Sequence, residues 1–272
     1  MGTPSEPKDG SETRATPTGE QPLWHKPFTI VFGRKRRLHR AKVATASLLS
    51  AVPGGLGDRG AALLRRVEDR APRREQSLQR FATRLENLTP HSVCIDAGAN
   101  LGVYTRMMAM TGATVHAYEP DPWTFAKLVE VCNDLPNVVL HNKAIGLTAG
   151  AVPLTRPEGW EEDREATSQS VRVVDDTGQA ARGPIETDVV VDMVAFETVL
   201  SEIGPVDIIK MDIEGAELPI LEAIARAPDR YPFKALFVET HENIFPGYAV
   251  AVGRLVRLFA GLQEPVVDLD WP

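Results

Sequence analysis

The chain has 272 residues, 43% of them hydrophobic, and a formal net charge of −7. That length and composition predict one large domain with extensions, and exclude a chain without a real core. Charge is unevenly divided: residues 1–90 carry 17 Lys/Arg against 9 Asp/Glu, and residues 91–272 carry 13 against 28. The acidic larger part excludes a nucleic-acid partner bound along its surface.

Residues 1–23 are polar and aperiodic, which predicts a disordered tail with no signal peptide. Residues 24–59 form a basic segment with the run Arg34-Lys35-Arg36-Arg37, preceded by Trp24, Phe28 and Phe32. Its part over 24–42 suits a solvated arm or a peripheral contact with the inner membrane face. No apolar run reaches the roughly 18–20 residues that span a bilayer. The two cysteines, Cys94 and Cys132, make neither a disulfide framework nor a metal-ligand spacing, and a cytoplasmic setting is expected.

From residue 60 the pattern becomes regular. Helices are predicted over 60–71 and 74–88, separated at Pro72, with Leu78, Phe81, Leu85 and Leu88 on one face. Strands at 92–96, 114–118 and 137–141 then alternate with helices at 101–111 and 122–133. The rhythm resumes with a helix near 193–203, a strand at 206–211, a helix at 216–226 and a strand at 234–239. This alternation predicts an α/β fold with a doubly wound, mostly parallel sheet over 60–272, behind a helical N-terminal extension. Residues 154–187 interrupt it as a charged insertion, which reads as a substrate lid or an exposed excursion.

Two acid-bearing segments carry the chemistry. In Val93-Cys94-Ile95-Asp96-Ala97-Gly98-Ala99-Asn100-Leu101-Gly102, a strand ends on an acid and a small-residue turn. Glu119 follows 23 positions after Asp96, at the end of the next strand. This is a nucleoside-binding arrangement, with Glu119 placed to accept both ribose hydroxyls. A dinucleotide turn would read G-x-G-x-x-G, and a leading acid would repel a diphosphate. Asp96 instead suits an ammonium-bearing tail, which points to S-adenosylmethionine (SAM). Asp96, Gly98, Asn100, Gly102 and Glu119 are therefore candidate cofactor residues, with Asn142 placed to reach the adenine edge.

The second segment is Asp207-Ile208-Ile209-Lys210-Met211-Asp212-Ile213-Glu214-Gly215-Ala216-Glu217, and Glu239-Thr240-His241 follows the next strand. Both lie at carboxyl ends of strands, where open parallel sheets bind ligands. His241 is the candidate general base, with an ordinary pKa near 6.5, so the rate should rise through a histidine titration. Glu239 would orient its ring or take the proton, and Asp212 and Glu214 would position an acceptor. Asp212, Glu214, Glu239 and His241 could also hold a divalent cation, although none is expected.

These motifs resemble the FkbM-type family of SAM-dependent methyltransferases, over roughly residues 90–243. The resemblance rests on the Asp96–Gly102 turn with Thr105, on Ala117-Tyr118-Glu119-Pro120, on Lys210-x-Asp212-x-Glu214-Gly215-x-Glu217 and on Glu239-Thr240-His241. Asp192 is similar to the Asp of the family's Thr-Leu-Asp segment. The resemblance implies a Rossmann-like class I fold and O-methylation of a small-molecule or glycan hydroxyl, sugar or polyketide. It also implies two strands after residue 239, whereas the last 33 residues hold a helix near 248–262 and one strand at 264–269. An incomplete sheet edge, open to a second copy, is the expectation. A nicotinamide-dependent oxidoreductase and a non-catalytic interaction protein on the same sheet are the rival readings.

Overall fold

The computed structural model describes residues 46–173 and 189–272, apart from 47, 68, 69, 243, 245 and 246. The polar tail, the basic run and the second half of the insertion lie outside the described residues. The strands described are β1 (Val93–Ala97), β2 (Thr114–Tyr118), β3 (Val138–His141), β4 (Ala144–Gly146), β5 (Gly150–Thr155), β6 (Arg172–Val173), β7 (Val189–Ala195), β8 (Val206–Met211), β9 (Phe233–Val238) and β10 (Val266–Asp268). The helices are α1 (Gly55–Val67), α2 (Arg70–Glu86), α3 (Val103–Ala109), α4 (Pro122–Cys132), α5 (Arg164–Thr167), α6 (Phe196–Ile203), α7 (Glu217–Arg226) and α8 (Tyr248–Phe259).

Six strands form the main sheet in the order β10-β9-β8-β1-β2-β3, and all pair in parallel. Chain order runs outward in both directions from β1, so a crevice opens between β1 and β8 at their carboxyl ends. Alternation along β1 sends its side chains to opposite faces. Ile95 and Ala97 pack with α6, α7 and α8 through Phe196, Leu221 and Val252. Cys94 joins Phe81, Met108 and Phe237 on the other face. Helices on both faces make this a doubly wound, Rossmann-like architecture.

Local chemistry places the element that follows β2. Asp121 caps α4 by accepting from Trp123 N and Thr124 N, and Pro122 occupies the first helical position. The cap holds the end of Glu119's loop in place.

The N-terminal helices are part of the core. Phe81 of α2 is 1% exposed and meets Phe237 at 5.2 Å and Trp271 at 4.7 Å between ring centroids. Truncating such a residue to alanine typically costs about 3–5 kcal/mol. α1 begins at Gly55, so a boundary at residue 60 falls inside it. It crosses α8 at Gly253, where a Cβ would stand 2.6 Å from Asp58 O and 2.7 Å from Ala62 N. Any side chain there would force the two helices apart.

Two features differ from the sequence reading. A second sheet, β4-β7-β5-β6, is built from the segment after β3 and the flanks of the insertion. Residues 193–195, expected to begin a helix, continue β7, because Met193 pairs with both Ala144 and Gly150. At the far edge β10 is the outermost described strand of the main sheet. Its Asp268 is held by Arg80 of α2 at 2.6 Å. Among the described residues no helix is long and apolar enough to cross a membrane.

Candidate active site

A cavity of about 560 Å³ opens at the carboxyl ends of β1, β2, β8 and β9. Its wall includes Gly98, Asn100, Glu119, Asp212, Glu239 and His241, so the two segments singled out in the sequence meet in one place.

The β1 side is a backbone cradle. Gly98 has φ +76°, and a Cβ there would lie 1.8 Å from Asp212 O, so the turn demands glycine. Asn100 also has positive φ, +48°, and its side chain accepts from Ser168 Oγ at 3.1 Å. Gly102 immediately precedes α3. Glu119 is 6% exposed and accepts from Asn100 N and Asp121 N, each at 2.9 Å. Each of its oxygens keeps a second acceptor site for a ligand. Burial pushes its carboxyl up to about 7, against the pull of the Asp121 and Asn100 amides.

Asp96 is fully buried beneath this turn and is not on the cavity wall. Its Oδ2 accepts from Thr105 Oγ1 at 2.6 Å, and Lys210 Nζ lies 3.5 Å from its Oδ1. The ammonium that the sequence reading assigned to a ligand is therefore supplied by Lys210, because a buried carboxylate requires a cation close by. Lys210 also donates to Gly98 O at 2.7 Å and lies 3.7 Å from Asp212 Oδ2. Burial alone would lower its pKa, but Asp96 and Asp212 raise it, so it stays charged. Asn142 likewise faces the chain: its amide donates to Glu119 O (2.8 Å) and Pro120 O (3.0 Å). The cavity is lined at that point by its neighbours Lys143, Ala144 and Ile145.

The β8–β9 side is dense in charge. Glu217 is 1% exposed and accepts from Ile213 N and Gly215 N, each at 2.9 Å, so it ties the loop after β8. Glu214 and His241 adopt positive φ, +55° and +49°. His241 Nδ1 lies 3.1 Å from Glu217 Oε1, and Nε2 lies 3.4 Å from Glu214 Oε2 and 3.7 Å from Asp212 Oδ1. Burial opposes a charge on the ring, but hydrogen bonds to Glu214 and Glu217 outweigh it and raise the pKa to about 11. His241 is therefore an imidazolium at neutral pH. This arrangement differs from the neutral imidazole base expected from the sequence: carboxylates face both ring nitrogens and favour the charged ring.

Glu239 is bonded by Arg74 Nη2 at 2.9 Å, and burial raises its pKa. Arg172 Nε donates to Glu214 Oε2 at 3.3 Å. Donor atoms of Asp212, Glu214 and His241 lie within 4.8 Å of one another, a spacing a cation could bridge. Lys210, Arg172 and the His241 imidazolium already supply positive charge there.

Sequence reasoning missed Arg74, Ser168 and Arg172, which carry no local motif. The insertion reaches the cavity through Ser168 to Val173. It is anchored by Arg156, which forks onto Asp121 Oδ2 at 2.9 and 2.7 Å.

Fold and site together define a doubly wound α/β protein with an acid-rich cavity at the carboxyl edge of its parallel sheet. A family description, Methyltransferase FkbM domain, matches residues 96–260, and the chain belongs to that family. It is similar to the hexuronic acid methyltransferase AglP of Haloferax volcanii, 26% identical over 162 residues, covering 60% of this chain and 61% of that protein. It is also similar to Methyltransferase 1 of Beauveria bassiana, 29% identical over 146 residues, covering 49% and 58%. The chain thus spans about three fifths of the length of these curated relatives. A solved Pyrococcus horikoshii chain described as a candidate RNA methyltransferase overlays with a TM-score of 0.30 at 13% identity, covering 73% and 71% of the two chains, too loosely to carry an argument.

Proposed function

We propose that the protein transfers the methyl group of SAM to a hydroxyl of a small molecule or glycan. The observation that carries this reading is the single cavity shared by the Gly98–Glu119 cradle and the Asp212–His241 cluster. Glu119 would accept the ribose hydroxyls, and the turn around Gly98 would face the amino-acid tail. The acceptor would lie against Asp212 and Glu239. The name of the Haloferax relative favours a sugar as acceptor.

Methyl transfer is an in-line displacement in which alignment supplies much of the rate. The acceptor oxygen forms a bond to the methyl carbon as the carbon–sulfur bond breaks. Its electron pair stays on sulfur, which leaves S-adenosylhomocysteine. The hydroxyl proton must go to a base. Asp212 is our candidate, because it lines the cavity beside Glu239 and its side chain is about a quarter exposed, so an acceptor hydroxyl can reach it. His241, held as a cation beside it, would be a positioning residue for Asp212 and Glu214.

Calorimetric titration with SAM and with NAD tests the reading. SAM should bind and NAD should not. Binding of NAD alone would move the protein to the oxidoreductases, and binding of neither would favour a non-catalytic role.

A further inference from the structure

One cation on the cavity wall has a single hydrogen bond to the described residues. Arg74 stands in the first turns of α2, outside the residues 96–260 that match the family. Its helical neighbours are tied down. Arg73 donates to Asp270 Oδ1 at 2.7 Å and to Arg65 O at 2.8 Å, and Arg70 donates to Glu242 Oε1 at 3.3 Å. Arg65, 7% exposed, reaches Glu242 Oε2 at 2.9 Å and Leu269 O at 2.8 Å. These bonds fix the start of α2 against the carboxyl-terminal segment and so fix the origin of the Arg74 side chain.

Among the described residues of α2, Arg74 alone lines the large cavity. Its one hydrogen bond to a described residue runs from Nη2 to Glu239 Oε1. The side chain is 36% exposed, and among the described residues neither Nε nor Nη1 has a hydrogen-bond partner. The neighbouring cations are engaged: Lys210 with Gly98 O, Asp96 and Asp212, and Arg172 with Glu214. His241 is held by Glu214 and Glu217, and Lys143 is an exposed residue just after β3, on the Glu119 side. A guanidinium oriented along one edge by a carboxylate, with donors open along another, suits bidentate capture of a planar or tetrahedral anion.

We propose that Arg74 recognises an anionic group, a carboxylate or a phosphate, on the methyl acceptor, so that the preferred acceptor is an acidic sugar or a similar acidic hydroxy compound. This rests on the reading of the cavity as a methyltransferase site. Arg74 becomes a specificity residue that the N-terminal helices deliver to the family's catalytic sheet.

The test uses the full chain loaded with S-adenosylhomocysteine and titrated with D-glucuronate, D-glucose 6-phosphate and D-glucose. At least one anion should bind about tenfold or more tightly than glucose, as charge-assisted hydrogen bonds predict. The stronger of the two anions identifies carboxylate or phosphate as the recognised group. In Arg74→Met the preference should shrink to within about twofold, with S-adenosylhomocysteine affinity maintained; Arg74→Lys, which keeps the charge and loses the fork, should fall between. Equal affinity for all three sugars, binding of none, or a preference that survives in Arg74→Met overturns the proposal. A merely structural Arg74 would lower stability or S-adenosylhomocysteine affinity and leave the anion preference intact. Failure of S-adenosylhomocysteine itself to bind removes the methyltransferase reading, and this proposal with it.

Discussion

The two halves of the cavity solve different physical problems. On the β1–β2 side, the wall is mostly backbone, held in shape by Glu119 through two main-chain amides. On the β8–β9 side, Asp212, Glu214, Glu217 and Glu239 crowd together, and Lys210, Arg172, Arg74 and His241 offset them. The first half is local in sequence and rigid through geometry. The second is balanced by charges drawn from α2, the insertion and the loop after β9, so changes there should alter chemistry and pH response more than cofactor affinity.

Asp212→Asn should sharpen that contrast most. Loss of a general base typically lowers turnover by roughly 10²–10⁴-fold, while SAM affinity should change by less than about threefold. Near-normal turnover would move the proton acceptor to Glu239.

Glu119→Ala should show the opposite pattern. It removes charge-assisted hydrogen bonds to the ribose, and SAM affinity should fall by at least about tenfold in calorimetry. Because burial raises the Glu119 carboxyl to about 7, SAM affinity of the unmodified protein should strengthen as pH rises through that value. A flat profile from pH 6 to 8 would show that the carboxylate is not the ribose anchor.

His241 gives a stability test of intermediate size. Its folded-state pKa, about 11, lies above the unfolded value near 6.5. Its contribution is therefore fully present below pH about 6.5 and is lost progressively as pH rises toward 11. Urea unfolding at pH 6.5 and at pH 9 should show a larger loss for the unmodified protein than for His241→Asn. At saturating SAM, the activity profile should also lack the rise near 6.5 that a neutral histidine base would produce. A histidine break in the rate, absent in His241→Asn, would restore the base role.

Chelation should have the smallest effect. With Lys210, Arg172 and His241 supplying positive charge, methyl transfer should proceed at an unchanged rate in excess EDTA. Loss of activity that a divalent cation restores would turn Asp212, Glu214 and His241 into metal ligands.

Much of the main sheet was legible in the chain. The strands at 93–97, 114–118 and 206–211 match apolar runs bounded by turn residues, and the helices between them follow spacing and caps. The second sheet was not legible. β4 and β6 have three and two residues, and Pro153 lies inside β5, so no periodicity could declare them. Met193-Val194-Ala195 reads equally well as helix or strand, and pairing with β4 and β5 decided it.

The sequence by itself determined which acids lie at the carboxyl ends of strands, the edge on which the cavity opens. That information is local: a strand, a tight turn and an acid at fixed spacing. Only the tertiary structure decided the charge states and partners of those acids. Glu239 meets Arg74 from 165 positions away, and His241 meets Glu217 from 24. Proton affinity depends on burial and on every charge within a few ångströms, and neither quantity is carried by spacing along the chain.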